Sequence, residues 1–353
     1  MDFCVAYDVR RYLNWLYSLV VFAILKNNDV EVGGFYFQMN DQIAKILTNI
    51  DEVMIGKREV ATLSLVALLA EGHILLEDVP GVGKTMMVRT LAKSIGTSFN
   101  RIQFTPDLLP SDVVGVSIYN PKTLEFEFRE GPIVGHIVLA DEINRTSPKT
   151  QSALLEAMEE GTVTVDGETV HIPKPFFVMA TQNPIEYEGT YSLPEAQLDR
   201  FLFKIQMGYP TFDEEVEVLR RAAHREPLKT LQSVMTIEEL RALQQQVKTV
   251  HIEDSVKAYI VDIVRQTRSD QHVYLGASPR ASIALMRASQ SYAFMQGRSY
   301  VLPDDVQYLA KFVLSHRLIL KQEARYEQIE AEEIVQRVVT RVAVPTQKAM
   351  NYE

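Results

Sequence analysis

Residues 77–85 read EDVPGVGKT and join an apolar run, HILLED (73–78), to a helical pattern, TMMVRTLAKSIG (85–96). A glycine-rich turn between a strand and a helix directs successive backbone N–H groups and the helix N-terminus at an anion. Gly81 and Gly83 let the backbone approach phosphates, Lys84 reaches the β- and γ-oxygens, and the Thr85 hydroxyl suits Mg²⁺. The stretch predicts a phosphate-binding loop.

The loop departs from the pattern G-x-x-x-x-G-K-[ST] at one position, because Asp78 stands where the first glycine is expected. Gly-Lys-Thr alone is a weak signal, and the alternative is an ordinary glycine-rich turn between a strand and a helix. The flanking strand and helix, together with the motifs below, favour the phosphate-binding loop.

Apolar runs of strand length alternate with helical patterns around this loop. The runs are HILLED (73–78), RIQFT (101–105), HIVLAD (136–141), FFVMAT (176–181) and FLFKIQM (201–207). Such alternation predicts the α/β class, with a parallel sheet covered by helices on both faces. Ser147–Pro148 and Gly161 mark the ends of a helix over 148–160. Asp166–Gly167 then predicts a two-residue β-hairpin that interrupts the α/β alternation.

After Pro210 the pattern becomes helical, with almost no strand signal, and predicts an all-helical second domain. The expected helices are 213–226, 237–249, 254–270, 279–297, 304–317 and 330–342. A chain of 353 residues has the length of two ordinary domains. We therefore expect a core over 39–209, a helical domain over 210–345, a tail over 346–353 and an extension over 1–38.

Polar residues end two of the predicted strands. Asp141 and Glu142 follow the strand at 136–141, where Asp141 can hold Mg²⁺ and Glu142 can polarise an attacking water. The alternative is a pair of solvated acids at a strand end. Asn183 follows the strand at 176–181 and suits contact with a γ-phosphate or the water, although Asn-Pro is also a common turn. The phosphate loop nearby favours the functional interpretation of all three residues.

Two arginines are further candidates. Arg200, in LPEAQLDRF (193–201), either pairs with Asp199 on the surface or reaches the γ-phosphate of a neighbouring subunit. Arg280 lies at the start of a predicted helix, after GAS (276–278). A positive charge is unfavourable at a helix N-terminus, so contact with a phosphate would explain an arginine there.

Composition excludes several other classes. The 36 Lys and Arg residues against 46 Asp and Glu give a net charge of −10, which argues against broad nucleic-acid binding. One cysteine, Cys4, excludes an intramolecular disulfide and a thiolate zinc site and fits the reducing cytoplasm. The apolar run at 12–25 is short for a membrane span, which needs roughly 20 residues. A peripheral helix, or sequence upstream of a true start at Met39, explains it better.

Together, GHILLEDVPGVGKT (72–85), FTPDLLPSDVVG (104–115), VLADEINRTSPKTQSALLEAMEE (138–160), ATQNPIEYEGTYSLPEAQLDRF (180–201) and GASPRA (276–281) resemble the MoxR family of AAA+ ATPases. The resemblance runs from about 39 to 345. It implies an αβα P-loop core, a helical lid and a ring, expected to be hexameric, that binds ATP and Mg²⁺ between subunits. The hairpin at Asp166–Gly167 would be a pre-sensor insertion, and 110–118 a helix-two insertion.

The resemblance also implies roles for individual residues. The adenine pocket would include Ile55 and Gly56, and the Walker A loop would include Pro80, Gly81, Val82, Gly83, Lys84, Thr85 and Met86. Thr85 and Asp141 would bind the metal. Lys84, Glu142, Asn183 as sensor 1 and Arg200 as arginine finger would serve catalysis, and Arg280 would be sensor 2.

MoxR-type proteins resemble chaperones that remodel a client protein or assist cofactor insertion, often with a partner that carries a von Willebrand A domain. Two alternatives remain from the same fold: a motor subunit of a metal chelatase, and a nucleotide-dependent scaffold with little turnover. Glu142, Asn183 and Arg200 argue against the scaffold. We expect neither nucleic acid nor membrane as a partner.

Overall fold

A computed structural model describes residues 29–32, 35–79, 81–184, 190–222 and 227–345. The apolar run at 12–25, Pro80 and the tail at 346–353 lie outside the described residues. Within those ranges, no helix is both long and apolar enough to cross a membrane.

The first part of the chain alternates strands and helices. Its elements are β1 (Asp29–Val32), β2 (Phe35–Gln38), α1 (Asp41–Val53), α2 (Arg58–Leu69), β3 (Ile74–Glu77), α3 (Lys84–Ile95), β4 (Phe99–Gln103), α4 (Pro110–Val114), β5 (Gly115–Asn120), β6 (Glu125–Glu130), β7 (Ile137–Asp141), α5 (Pro148–Glu160), β8 (Thr162–Val165), β9 (Glu168–His171), β10 (Phe177–Gln182), α6 (Glu195–Leu198) and β11 (Phe203–Ile205).

The second part is mainly helical. Its elements are α7 (Phe212–Ala222), α8 (Pro227–Thr230), α9 (Ile237–Val247), α10 (Asp254–Thr267), β12 (Val273–Leu275), α11 (Pro279–Met295), α12 (Pro303–Leu314), β13 (Ile319–Leu320), α13 (Gln322–Tyr326) and α14 (Ala331–Arg341).

Five parallel strands form the central sheet in the order β11, β3, β10, β7, β4, which confirms the predicted α/β class. Strands β7 and β10 are buried throughout except at their last residues, Asp141 and Gln182. Helices cover both faces of such a sheet, so only the polar ends of these two central strands approach solvent. The carboxyl edge of the sheet therefore collects the polar side chains.

Each face of the sheet has its own apolar core. On one face, side chains of α1, α2 and α3 pack against Leu76 and Phe203, and this core continues without a break into the helical part through residues such as Leu309. On the other face, Leu154 of α5 packs with Val178 and Phe201. Burying one such side chain stabilises the fold by about 1.5–3 kcal/mol. The helical part thus shares a continuous apolar core with the first face of the sheet.

The predicted helix over 148–160 matches α5, where the Ser147 hydroxyl accepts the Thr150 N–H and Gly161 ends the helix with a φ of 64°. The helical character of the second part is confirmed, with one addition. Strands β12 and β13 form a short antiparallel pair there, although the sequence carries almost no strand signal. Strands of two and three residues are too short to show a periodic pattern.

Two hairpins are inserted in the chain between strands of the central sheet. Strands β8 and β9 flank Asp166 and Gly167, which both have positive φ, so the predicted two-residue turn is confirmed. The segment expected to be an insertion over 110–118 contains the short helix α4 and the first part of β5, which pairs with β6 beyond that segment in a second hairpin. This hairpin exposes the side chains of Leu124 and Phe126 and much of Tyr119.

Candidate functional site

A cavity of about 420 Å³ lies at the carboxyl edge of the sheet. Strands β3, β7, β10 and β4 are neighbours in this sheet, so the residues that follow them converge there. The lining residues come from three predicted motifs and from the end of β4. They are Gly81, Gly83, Lys84, Thr85, Met86, Arg101, Gln103, Asp141, Glu142 and Asn183.

The loop between β3 and α3 has the backbone that its glycines predict. Gly81 and Gly83 have φ of 89° and 97°, which L side chains rarely adopt. Lys84 begins α3, and its Nζ donates to the backbone carbonyl of Asp78 at 2.8 Å. Burial lowers the pKa of Lys84, and the carboxylates of Asp78, Asp141 and Glu142 oppose that shift. A positive charge and the N-terminus of α3 thus face the cavity together.

Asp141 and Glu142 are held by a set of close hydrogen bonds. Thr181 Oγ1 donates to Asp141 Oδ1 at 2.7 Å and accepts the Glu142 N–H at 2.8 Å. Arg101 Nη2 lies 2.7 Å from Asp141 Oδ2, and Gln103 Nε2 donates to Glu142 Oε2 at 2.7 Å. Thr181, Arg101 and Gln103 thereby tie the acids to the strands on both sides of β7.

Glu142 has a φ of 59°, a left-handed conformation that is uncommon outside glycine. Such backbone costs about 1–3 kcal/mol and persists where the surroundings enforce it. Here the Thr181 hydroxyl holds the amide, while Gln103 and Arg145, whose Nη1 lies 3.2 Å from Glu142 Oε2, hold the carboxylate. The unusual backbone, the hydrogen bonds that hold it and its place in the cavity lining make Glu142 a candidate functional residue.

Asn183 lines the cavity from the end of β10 and is only 5% exposed. The Asn144 side chain binds both backbone polar groups of Asn183. Its Nδ2 donates to Asn183 O at 3.1 Å, and its Oδ1 accepts the Asn183 N–H at 3.5 Å. A solvated Asn-Pro turn does not describe this buried residue.

Arg200 and Arg280 are absent from the residues that line the cavity, and both pair with Glu159 near the end of α5. Arg200 Nε lies 2.8 Å from Glu159 Oε2, and Arg280 Nη2 lies 2.7 Å from Glu159 Oε1. The sequence alternative that Arg200 pairs with Asp199 is wrong, because Asp199 points toward Arg317 of the helical part. Glu159 therefore joins one arginine of the core to one of the helical part.

Arg317, which follows α12, fixes the segment that carries Arg200. Its Nε donates to Asp199 Oδ1 at 2.5 Å, and its Nη2 donates to the carbonyls of Asp199 at 3.1 Å and Phe201 at 2.7 Å. The side chain is only 3% exposed. Burial lowers the pKa of Arg317, and Asp199 opposes this shift. The helical part and the backbone around Arg200 should consequently move as one unit.

Ile55 and Gly56 also lie outside the cavity lining, between the loop and α7. A side chain at Gly56 would meet Glu214 of α7 at 2.0 Å, and one at Gly83 would meet Met54 at 3.1 Å. Val82 is partly buried against the core. The segment at 54–56 thus contacts both the phosphate loop and the start of the helical part.

Arg101 and Gln103 belong to the site but were not predicted to be functional. Both residues lie among the last three of β4, which pairs with β7 so that Gln103 aligns with Asp141. This position at the sheet edge is the feature that could have identified them. That pairing depends on the strand order, which a single sequence does not reveal.

Comparisons with known proteins agree with this geometry. Residues 73–203 match the model of the ATPase family associated with various cellular activities (AAA), and residues 265–338 match the AAA lid domain. The chain is 64% identical to the protein YeaC of Bacillus subtilis over 87% of this chain and 96% of that protein. It is 42% identical to the chaperone MoxR1 of Mycobacterium tuberculosis, over 87% and 84% of the two chains.

A solved structure of a proposed ATPase from Cytophaga hutchinsonii superposes with a TM-score of 0.82. It is 40% identical to this chain and covers 87% of it and 96% of its own length. Both the sequence relatives and the solved fold therefore extend over the sheet and the helical part. The chain belongs to the MoxR family of AAA+ ATPases.

Proposed function

We propose that this protein binds and hydrolyses ATP in a ring and uses the energy to remodel or activate a client protein. One observation carries the proposal: the phosphate loop, the Asp141–Glu142 pair and Asn183 all face one cavity. The proposed boundaries are a core over 39–209 and a lid over 210–345, with an extension at 1–38 and a tail at 346–353.

The donors beside the loop fit Mg²⁺. Thr85 supplies a hydroxyl and Asp141 a carboxylate, and hard oxygen donors of this kind suit that ion. Asp141 Oδ2 already accepts a cationic partner, Arg101, which indicates a position that favours positive charge. Bound Mg²⁺ would neutralise charge on the β- and γ-phosphates.

The chain's own residues would bind the nucleotide and position the attacking water. Lys84 and the backbone N–H groups from Gly81 onward would bind the phosphates, and Ile55 and Gly56 would adjoin the adenine. Glu142 would accept a proton from the attacking water, and Asn183 would orient that water or the γ-phosphate. Two hydrogen bonds support this role: the Thr181 hydroxyl accepts the Glu142 backbone N–H, and Gln103 donates to the Glu142 carboxylate at the cavity.

We further propose that the site is completed by a second copy of the chain. Arg200 and Arg280 both form ion pairs with Glu159, and neither lines the cavity of its own subunit. In a ring, expected to be a hexamer, both could then face the nucleotide of the neighbour, with Arg200 as the arginine finger. Stabilising the transition state in this way is worth about 10³–10⁵ in rate.

The client is proposed to be a protein, as the name of the chaperone MoxR1 suggests, and a von Willebrand A domain protein is the proposed partner class. The net charge of −10 supports a protein over a nucleic acid. The exposed Leu124 and Phe126 of the β5–β6 hairpin offer apolar contact outside the nucleotide cavity.

Lys84→Ala is expected to weaken Mg-ATP binding by about 10- to 100-fold, because a hydrogen bond to a charged group contributes about 1.5–3 kcal/mol. Filter binding of radiolabelled ATP to the purified chain measures the affinity. Lys149→Ala, which removes an exposed lysine of α5, serves as the control and should bind as the unmodified chain does. Unchanged binding by Lys84→Ala would show that the phosphates bind elsewhere.

Arg101→Ala is expected to lower the Mg²⁺ concentration needed for half-maximal hydrolysis by up to about fivefold. The Arg101 guanidinium competes for Asp141, and a partly exposed ion pair is worth about 0.2–1 kcal/mol. A Mg²⁺ titration at fixed ATP measures the effect, with Arg101→Lys as the control that keeps the charge. If the variant instead needs more ATP and the same Mg²⁺, Arg101 binds phosphate rather than competing for Asp141.

A further inference from the structure

Asp78, the residue that departs from the phosphate-loop pattern, binds the connection between the sheet and the lid. Its Oδ2 accepts the backbone N–H of Met207 at 2.6 Å and that of Gly208 at 2.8 Å. Its Oδ1 accepts the N–H of Val79 in its own loop at 2.9 Å. The side chain is well buried, with Asp78 8% exposed. A glycine at this position could make none of these bonds.

Lys57 binds the same two residues from the other side. Its Nζ donates to the carbonyls of Met207 at 2.9 Å and Gly208 at 3.0 Å. All four backbone polar groups of Met207 and Gly208 are therefore held by two buried charged side chains. The two residues lie between the end of β11 and the start of α7, where the chain leaves the sheet for the lid. Gly208 has a φ of 64°, which favours glycine at this turn.

Asp78 is also connected to the phosphate-binding lysine. Lys84 Nζ donates to the backbone carbonyl of Asp78 at 2.8 Å, so the same residue contacts the lysine through its backbone and the lid connection through its side chain. An ionised phosphate oxygen is a stronger acceptor for an ammonium group than a neutral carbonyl. A phosphate that binds Lys84 would thus compete directly with Asp78 for its hydrogen bond.

From these contacts we propose that Asp78 is a positioning residue that couples occupancy of the phosphate loop to the position of the lid. The inference rests on the proposed binding of ATP. Loss of the Lys84 bond allows the Asp78 carbonyl to shift, while the Asp78 N–H keeps its bond to the Gln182 carbonyl at 3.2 Å. The Asp78 carboxylate carries this shift to Met207 and Gly208. Lys57 contacts the same connection but makes no bond to those residues of the phosphate loop that the structure describes, so it acts as an anchor.

The two roles can be separated with matched variants of the full chain. Asp78→Gly restores the standard phosphate-loop glycine and removes the two bonds to Met207 and Gly208. Lys57→Met removes two bonds to the same residues and leaves Asp78 in place. Each variant deprives the connection of one buried charged partner, so the two perturb the lid attachment to a similar degree.

Lid position is measured by energy transfer between fluorophores on the core and the lid. Cys4→Ser removes the native thiol, and Lys149→Cys on α5 and Glu333→Cys on α14 supply exposed attachment points outside the proposed machinery. The probe is the nonhydrolysable analogue adenosine 5′-(β,γ-imido)triphosphate with Mg²⁺. Its affinity is measured on the same samples by displacement of radiolabelled ATP.

We expect the unmodified chain to change its energy transfer when the analogue binds. Each variant is tested at an analogue concentration that saturates it, as the displacement measurement shows. Asp78→Gly should then lose that change, whereas Lys57→Met should keep it. Asp78→Asn, which preserves the shape of the side chain, should show a reduced change and provides the test if Asp78→Gly does not fold.

Three results would overturn the coupling. The first is a full response from Asp78→Gly or Asp78→Asn. The second is an equal loss in Asp78→Gly and Lys57→Met, which would make Asp78 only an anchor. The third is an unmodified chain that binds the analogue without any change in energy transfer. An unmodified chain that does not bind the analogue at all would refute the proposed ATP binding itself, so the two failures are distinguishable.

Discussion

Glu142→Gln is expected to leave Mg-ATP bound while lowering the rate of hydrolysis by about 10²–10⁴-fold, the usual contribution of a general base. Glutamine has the same shape and can still accept the hydrogen bond from Gln103, so the cavity should keep its form. Glutamine cannot accept a proton from water, so the substitution should slow the chemical step and leave ATP binding unchanged. Phosphate release by the purified chain measures the rate, and filter binding measures retained ATP.

The matched control is Glu156→Gln, which makes the same chemical change at an exposed position of α5. It should leave both hydrolysis and binding unchanged. A Glu142→Gln variant that releases phosphate at the unmodified rate would contradict the assignment of the base. A variant that loses ATP binding would show that Glu142 serves the nucleotide and not the water.

Arg200→Ala is expected to lower hydrolysis by about 10³–10⁵-fold, the range measured for arginine fingers. The substitution should not unfold the chain, because Glu159 keeps Arg280 as a partner and Arg317 still holds the backbone of this segment. ATP binding should also persist, since the phosphate loop, Asp141 and Asn183 are unchanged and the arginine is proposed to act on the transition state. Phosphate release and filter binding measure the two properties separately.

Mixing tests whether Arg200 acts on the neighbouring subunit. Arg200→Ala chains retain Lys84, and Lys84→Ala chains retain Arg200. An interface at which the Arg200→Ala chain binds ATP and the Lys84→Ala chain supplies the arginine is therefore complete. We expect mixtures to hydrolyse ATP faster than the sum of the two variants alone. Light scattering on differently tagged chains establishes that mixed rings form. Mixed rings without recovered activity would contradict an arginine that acts between subunits.

The sheet and its polar edge were predictable because parallel strands are apolar on both faces. A run such as IVLAD (137–141) is typical of a buried strand, and the acid at its end marks the edge where ligands bind. The helix Pro148–Glu160 was equally predictable, since its N-cap and its terminal glycine are local signals. Helix-end signals and buried apolar runs were thus enough to predict most of the fold.

The partners of the charged residues were not predictable. Arg101 meets Asp141 and Gln103 meets Glu142 only because β4 lies beside β7 in the sheet. Asp199 is adjacent to Arg200 in sequence, yet Arg200 pairs with Glu159 from the end of another helix. These contacts depend on tertiary packing, and one sequence without its structure does not specify them.

The β5–β6 hairpin was missed for a different reason. EFEFRE (125–130) alternates as a strand should, but its residues are almost all exposed on both faces. The predicted strands were recognised by continuous apolar runs, which a projecting hairpin does not need. The same exposure makes its side chains available for contact with a partner.

The identity of the bound nucleotide tests the proposed ATPase site most directly. The unmodified chain and Glu142→Gln are incubated with Mg-ATP, separated from free nucleotide, denatured and analysed by ion-exchange chromatography. The unmodified chain should yield ADP and Glu142→Gln should yield ATP. ADP from both proteins would contradict the proposal that Glu142, in the cavity formed with the phosphate loop, Asp141 and Asn183, activates the water.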